Sequence, residues 1–114
     1  MLTVYGIKNC DTCRKALKWL SAEGIEHVFH DFRVDGFEPA NVSRWAAAAG
    51  WEKLLNRRGT TWRNLPDADR DGVDAAKAEA LMAGNPTLIK RPVFDDGSRI
   101  LVGFTAAEQD ALKA

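Results

Sequence analysis

The apolar residues of the first third of the chain follow strand spacing, then helix spacing, then strand spacing. Residues 2–5 form a short β-rich run that Gly6 ends, and apolar residues over 11–23 recur at i, i+3, i+4 and i+7. Gly24 stops the helix because glycine enters the left-handed conformation without a Cβ penalty, and residues 25–33 then predict a second strand. This order predicts a parallel βαβ unit with a right-handed crossover.

The middle of the chain is predicted to be helical. Apolar residues recur at helical spacing over 42–49, before Gly50, and a short helical segment follows over 51–55. A further helix is predicted over about 73–83, because Pro86 cannot continue it and its predecessor avoids the helical region.

The last part of the chain predicts a hairpin and a helix. Residues 93–94 and 99–104 flank the turn Asp95-Asp96-Gly97-Ser98, in which Asp-Gly favours the tight turn of antiparallel strands. Thr105 and Glu108 have the spacing of a capping box, which predicts a helix over about 106–113.

These elements together predict an α/β protein of the thioredoxin-like fold. Its four-stranded mixed sheet is flanked by helices, and a helical insertion occupies about 38–84. We expect residues 1–114 to form a single domain. Another small α/β sandwich is the alternative, because it would have the same elements.

Composition narrows the class of protein. The 114 residues are 46% hydrophobic, which supports a core without metals or several disulfides. Lys and Arg total 16 and Asp and Glu total 16, so the zero net charge predicts no nucleic-acid partner. The absence of a long apolar run and of a secretory signal predicts a soluble, cytoplasmic protein with no membrane partner.

The strongest chemical signal is Cys10-Asp11-Thr12-Cys13, between the first strand and the first helix. Free N–H groups and the positive end of the dipole at a helix N-terminus stabilise an anion, so we expect a lowered pKa and a nucleophilic thiolate at Cys10. Cys13 is one turn further on and is the candidate resolving thiol. It also falls on the apolar face of the helix, so a buried structural cysteine is the alternative.

A zinc site is an alternative to this interpretation. Cys10, Cys13, His27 and His30 have a spacing close to that of zinc-finger ligands. However, residues three apart on a strand point to opposite faces of the sheet, so the two histidines are not expected to bind one ion. We therefore predict no metal.

Three segments resemble the arsenate-reductase-like (ArsC/Spx) family, and in particular its YffB branch. They are Tyr-Gly-Ile-Lys-Asn-Cys-Asp-Thr (5–12), Leu-Leu-Asn-Arg-Arg-Gly-Thr-Thr-Trp-Arg (54–63) and Leu-Ile-Lys-Arg-Pro-Val (88–93). The resemblance covers essentially the whole chain, in order. It implies a thioredoxin-like fold, nucleophilic chemistry at Cys10, and a cis Arg91–Pro92 peptide that directs Arg91 at the Cys10 sulfur.

The resemblance also separates three functions. The YffB branch implies a glutathione-dependent thiol reductase. Arsenate reductases of the family use two further arginines, and Asn56 and Gly103 stand at those positions here, so arsenate should bind poorly. The Spx relatives are redox-controlled regulators that bind RNA polymerase, and a protein-binding role is therefore the alternative.

We predict a thiol-disulfide oxidoreductase with no bound cofactor and with glutathione as co-substrate. Cys10 attacks, Arg91 stabilises the thiolate, and either Cys13 or a second glutathione resolves the intermediate. Backbone N–H groups over 9–12 orient the incoming sulfur, and main-chain atoms beside Pro92 bind extended glutathione. The residues predicted to contact substrate are Lys8, Asn9, Asp11, Thr12, Arg57, Arg58 and Pro92.

Overall fold

The strands of the chain form one mixed four-stranded sheet, in a computed structural model that describes all 114 residues. The strand order is β2-β1-β3-β4, with β1 and β2 parallel and the other two pairs antiparallel. The strands are β1 (Leu2–Gly6), β2 (His27–Asp31), β3 (Val93–Asp95) and β4 (Ile100–Val102).

The predicted βαβ unit is confirmed. Helix α1 (Asp11–Ala22) connects β1 to β2, and the register of the two strands runs from Leu2 opposite His27 to Gly6 opposite Asp31. Gly24 follows the C-cap residue of α1 and has a φ of 70°, in the left-handed region. Strand β2 is shorter than predicted, because the Ile25 N–H still donates to the Leu20 carbonyl at the end of the helix.

The predicted hairpin and final helix are also confirmed. Val93 pairs with Val102 and Asp95 with Ile100. Strand β4 is therefore shorter than predicted, whereas Asp95, predicted to lie in the turn, is the last residue of β3. Helix α7 (Ala106–Lys113) begins with the capping box of Thr105 and Glu108. The Thr105 N–H and hydroxyl both donate to the Glu108 carboxylate, at 2.7 Å each.

Buried apolar side chains join the sheet to α1 and α7. Val4 and Phe94 supply the sheet side of this core, and Ala16 and Leu20 supply the α1 side. Leu112 of α7 completes it. Because Ala16 and Leu20 are close-packed in this core, α1 has a defined position against the sheet.

The chain divides into two compact units: residues 1–36 with 91–114, and residues 37–90. The first contains the sheet, α1 and α7. The second contains the predicted insertion and is helical. Its helices are α2 (Ala40–Ala49), α3 (Trp51–Leu54), α4 (Thr60–Arg63), α5 (Asp67–Arg70) and α6 (Ala75–Gly84), followed by a 3-10 turn (Pro86–Leu88).

Helices α4 and α5 were not predicted, since a four-residue helix is too short to show a helical repeat of apolar residues. The predicted helix over 73–83 is observed as α6, shifted by two residues at its start because Asp74 is its N-cap and accepts from the Lys77 N–H. None of the helices has the length and apolar character that crossing a membrane requires.

Candidate active site

Cys10 is the N-cap of α1, and its side chain is half-buried. Its backbone is extended, with φ −142° and ψ 118°, and its carbonyl accepts the first helical hydrogen bond, from the Arg14 N–H at 3.0 Å. The sulfur therefore lies at the end of the helix where N–H groups have no helical partner. This is the position that the sequence predicts for a stabilised thiolate.

The surroundings of Cys10 favour its charged form. Partial burial by itself raises the pKa of the Cys10 thiol, but hydrogen bonds from the backbone and thiol of Cys13 and from the Arg91 side chain outweigh it. The positive charge of Arg91 acts in the same direction, and the net result is a lowered pKa. The predicted direction of the Cys10 shift is thus reproduced by the geometry of the site.

Cys13 is in the opposite situation. Its side chain is fully buried, and burial raises the pKa of its thiol to about 12. A hydrogen bond from the Ile7 backbone opposes this rise, whereas the charge on Cys10 and the hydrogen bond to Cys10 add to it. Cys13 therefore keeps its proton at neutral pH and donates it toward Cys10. The packing of Cys13 is the one that the alternative predicted, a buried cysteine on the apolar face of α1.

Arg91 precedes β3, and the Arg91–Pro92 peptide is cis, as the resemblance implies. The guanidinium group is partly buried and donates to the Cys10 sulfur. Pro92 is buried, and its carbonyl accepts the Gly103 N–H at 2.9 Å. Since proline has no N–H, Pro92 itself offers little to an extended peptide, and the main-chain contact beside it stays a prediction.

The loop between β1 and α1 is held by two side chains that the sequence analysis did not single out. Asp31, at the end of β2, is buried and accepts the Lys8 N–H at 2.9 Å. The Arg14 guanidinium donates to the Lys8 carbonyl at 3.1 Å and forms an ion pair with Asp11. Both main-chain groups of Lys8 are therefore bound, which fixes the approach of the chain to Cys10.

The remaining predicted contacts fall into two groups. Lys8, Asn9, Asp11 and Thr12 have exposed side chains on the segment that contains Cys10. Because they follow one another around the start of α1, an incoming substrate could reach them. Their role in binding stays a prediction.

Arg57 and Arg58 belong to the second unit and line a groove there together with Lys53 and Lys90. Arg57 lies over the Trp51 ring, with 5.5 Å from its guanidinium carbon to the ring centroid. The contact of Arg57 and Arg58 with glutathione stays a prediction.

His27 and His30 each bind a different backbone carbonyl. His27 Nδ1 lies 2.8 Å from the Ile25 oxygen, and His30 Nε2 lies 2.7 Å from the Gly36 oxygen. The His27 ring is thus held by the chain just before β2, and the His30 ring by the chain that follows β2. This arrangement gives no reason to pair them as ligands of one ion.

The fold and this site define a class: thiol-based proteins with a thioredoxin-like sheet and a cysteine at the N-terminus of its first helix. Residues 5–112 match the model of the ArsC family. The chain belongs to the ArsC family.

Individual relatives agree with this assignment. An uncharacterised protein of Haemophilus influenzae is 48% identical over 111 residues, covering 97% of each chain. The solved structure of the protein YFFB is 43% identical, with a TM-score of 0.93 and complete coverage of both chains. The global transcriptional regulator Spx of Enterococcus faecalis is 31% identical over 113 residues, covering 95% of this chain and 83% of that one.

Replacing Arg91 by Ala should make Cys10 less reactive at neutral pH. The change removes a charged hydrogen-bond donor from the thiolate, so we expect the pH midpoint of Cys10 alkylation to rise by about one unit. Iodoacetamide labelling across a pH series, read by mass spectrometry, measures this midpoint. Arg33→Ala is the control, because the Arg33 side chain is exposed. Equal midpoints in Arg91→Ala and the wild type would contradict the role of Arg91.

Replacing Asp31 by Asn should destabilise the fold in a pH-dependent way. Burial alone raises the pKa of Asp31, but N–H groups of Arg33, Lys8 and Val34 hold it below its usual range. The stabilisation from the charged form is therefore complete above the unfolded pKa of about 3.9 and is lost as pH falls through the lower folded value.

We expect Asp31→Asn to lower the free energy of unfolding by roughly 1–3 kcal/mol at pH 7 and by less at pH 3. Urea unfolding at both pH values measures the difference. Asp110→Asn, an exposed change on α7, is the control. An Asp31→Asn effect of equal size at both pH values would rule out the carboxylate charge as its cause.

Proposed function

We propose that this chain is a thiol-disulfide oxidoreductase that reduces glutathione mixed disulfides with glutathione as co-substrate. The observation that carries the proposal is the environment of Cys10, where a half-buried sulfur is reached by Cys13 and Arg91. A sulfur that is both accessible and stabilised as a thiolate is the requirement for attack on a disulfide.

The first step is a thiol-disulfide exchange at Cys10. The thiolate attacks the glutathione sulfur of a mixed disulfide, forms a Cys10–glutathione disulfide, and expels the other thiolate, which takes up a proton from solvent. Backbone N–H groups at the start of α1 and the Arg91 guanidinium stabilise the charge on Cys10 before the attack. The exposed segment that includes Asn9 and Thr12 orients the incoming sulfur.

The second step is resolution by another glutathione. Its thiolate attacks the glutathione sulfur of the Cys10 mixed disulfide, releasing oxidised glutathione and restoring the Cys10 thiolate. One disulfide is thus consumed and one is formed: the incoming glutathione is oxidised, and the other half of the substrate leaves as the reduced thiol. Glutathione is favoured over Cys13 as the resolving thiol because Cys13 is fully buried and its pKa is about 12.

Arsenate reduction is not favoured for this site. Gly103 and Asn56 occupy the positions where the resemblance puts two further arginines. Gly103 is buried with a φ of 90°, and the side-chain Oδ1 of Asn56 accepts the Arg58 N–H at 3.0 Å. Neither residue supplies a positive charge to a multivalent oxyanion.

A redox-switched binding protein is the second candidate function. The chain is 31% identical to the regulator Spx of Enterococcus faecalis and has two cysteines within one helical turn. In this alternative, the state of the Cys10 and Cys13 pair controls a surface for a protein partner such as RNA polymerase. It predicts no catalytic turnover.

Turnover with glutathione separates the two functions. Wild-type protein, glutathione and a small glutathione mixed disulfide should form oxidised glutathione, and Cys10→Ser should reduce the rate to the uncatalysed level. With excess glutathione, Cys13→Ser should stay within about tenfold of the wild type, since it replaces the thiol donor by a hydroxyl donor. A flat wild-type progress curve favours the regulator, and a Cys13→Ser variant as inactive as Cys10→Ser identifies Cys13 as the resolving thiol.

A further inference from the structure

Gly6, the last residue of β1, lies against the sulfur of Cys13. A Cβ atom on residue 6 would be 2.5 Å from the Cys13 Sγ, a separation that real Cβ atoms essentially never show. It would also be 3.6 Å from the Phe29 ring, which is ordinary contact. The backbone of Gly6 does not have a positive φ, so its conformation does not require glycine. What requires glycine here is the space that the Cys13 sulfur occupies.

The strand cannot easily move away from this contact. Gly6 is in register with Asp31 of β2, and its carbonyl accepts the Phe32 N–H at 2.9 Å. A side chain on residue 6 would therefore displace the sulfur rather than the strand. The α1 backbone is held by the buried Ala16 and Leu20, so the sulfur would have to rotate about the Cα–Cβ bond of Cys13.

Rotation of the Cys13 side chain would remove its hydrogen bond to Cys10. The Cys13 thiol reaches the Cys10 sulfur in the observed geometry, and this is one of the contacts that favour the Cys10 thiolate. A hydrogen bond from sulfur depends on the direction of the S–H group, which changes with the side-chain rotamer.

We propose that Gly6 is a positioning residue for the Cys10 nucleophile, because the space left by its absent side chain lets Cys13 direct its thiol at the Cys10 sulfur. The inference rests on the proposed function only in assigning Cys10 as the nucleophile. It adds a residue that acts on Cys10 through the position of the Cys13 sulfur. It also gives Cys13 the role of a protonated donor.

A double-mutant cycle tests this arrangement. Gly6→Ala, Cys13→Ala and the double variant are compared with the wild type by the pH midpoint of Cys10 alkylation. Gly6→Ala and Cys13→Ala should each raise the midpoint by about one pH unit, slowing alkylation at neutral pH up to roughly tenfold. The double variant should match Cys13→Ala, because removal of the sulfur makes room for the new methyl group.

The control is Gly84→Ala. Gly84 is exposed, has no positive φ, and a Cβ there would contact nothing within 4 Å, so its midpoint should equal the wild-type value. A wild-type midpoint in Gly6→Ala or in Cys13→Ala overturns the proposal. A further rise when Gly6→Ala is added to Cys13→Ala also overturns it, because Gly6 would then act without Cys13.

Folding of each variant is followed by circular dichroism. If Gly6→Ala alone does not fold, the proposal requires that the double variant folds and that Cys13→Ala shows the raised midpoint. A double variant that stays unfolded while Cys13→Ala folds overturns the contact on which the argument rests. Alkylation needs no disulfide substrate or glutathione, so a failure of reductase turnover leaves this test intact.

Discussion

The site depends on which of two neighbouring sulfurs carries a negative charge. Cys10 and Cys13 are close enough to share a hydrogen bond, and a second thiolate beside the first would be repelled by it. Burial decides between them, because Cys13 is enclosed in the core and Cys10 is half-exposed. The charge therefore lies on the more exposed sulfur, and the enclosed sulfur serves as a donor to it.

The ends of the strands position the groups that surround Cys10 and Cys13. Strand β1 ends at Gly6, and the following loop is tied to the end of β2 through the contact between Lys8 and Asp31. Strand β3 begins just after Arg91 and pairs with β1, which places the guanidinium at the same end of the sheet. The core side chains of α1 then fix the position of its first turn. The groups around the Cys10 sulfur are thus positioned by the ends of β1 and β2 and by the start of β3.

Much of the fold could be predicted from local signals. The βαβ unit, the hairpin and α7 each have a periodic pattern, a turn or a cap within a few residues. The position of Cys10 at the N-terminus of α1 could be predicted for the same reason, since the two are adjacent in the sequence. The four-residue helices α4 and α5 carry no repeat long enough to detect.

The contacts of Gly6 with Cys13 and of Lys8 with Asp31 could not be predicted in this way, because they are tertiary contacts. The second joins residues 23 apart in the sequence. Gly6 therefore indicated only the end of a strand, and Arg91 was placed by resemblance.

The number of positive charges near Cys10 favours the proposed disulfide chemistry over oxyanion chemistry. A thiolate carries one negative charge, and at Cys10 one guanidinium together with N–H and S–H donors is present to stabilise it. A multivalent oxyanion would need further cations to offset its loss of hydration. Gly103 cannot supply one, and an arginine there would have to adopt a φ of 90°, which is unfavourable for any residue with a Cβ. The backbone at Gly103 therefore opposes a positively charged side chain at that position, which supports the proposed disulfide chemistry over arsenate reduction.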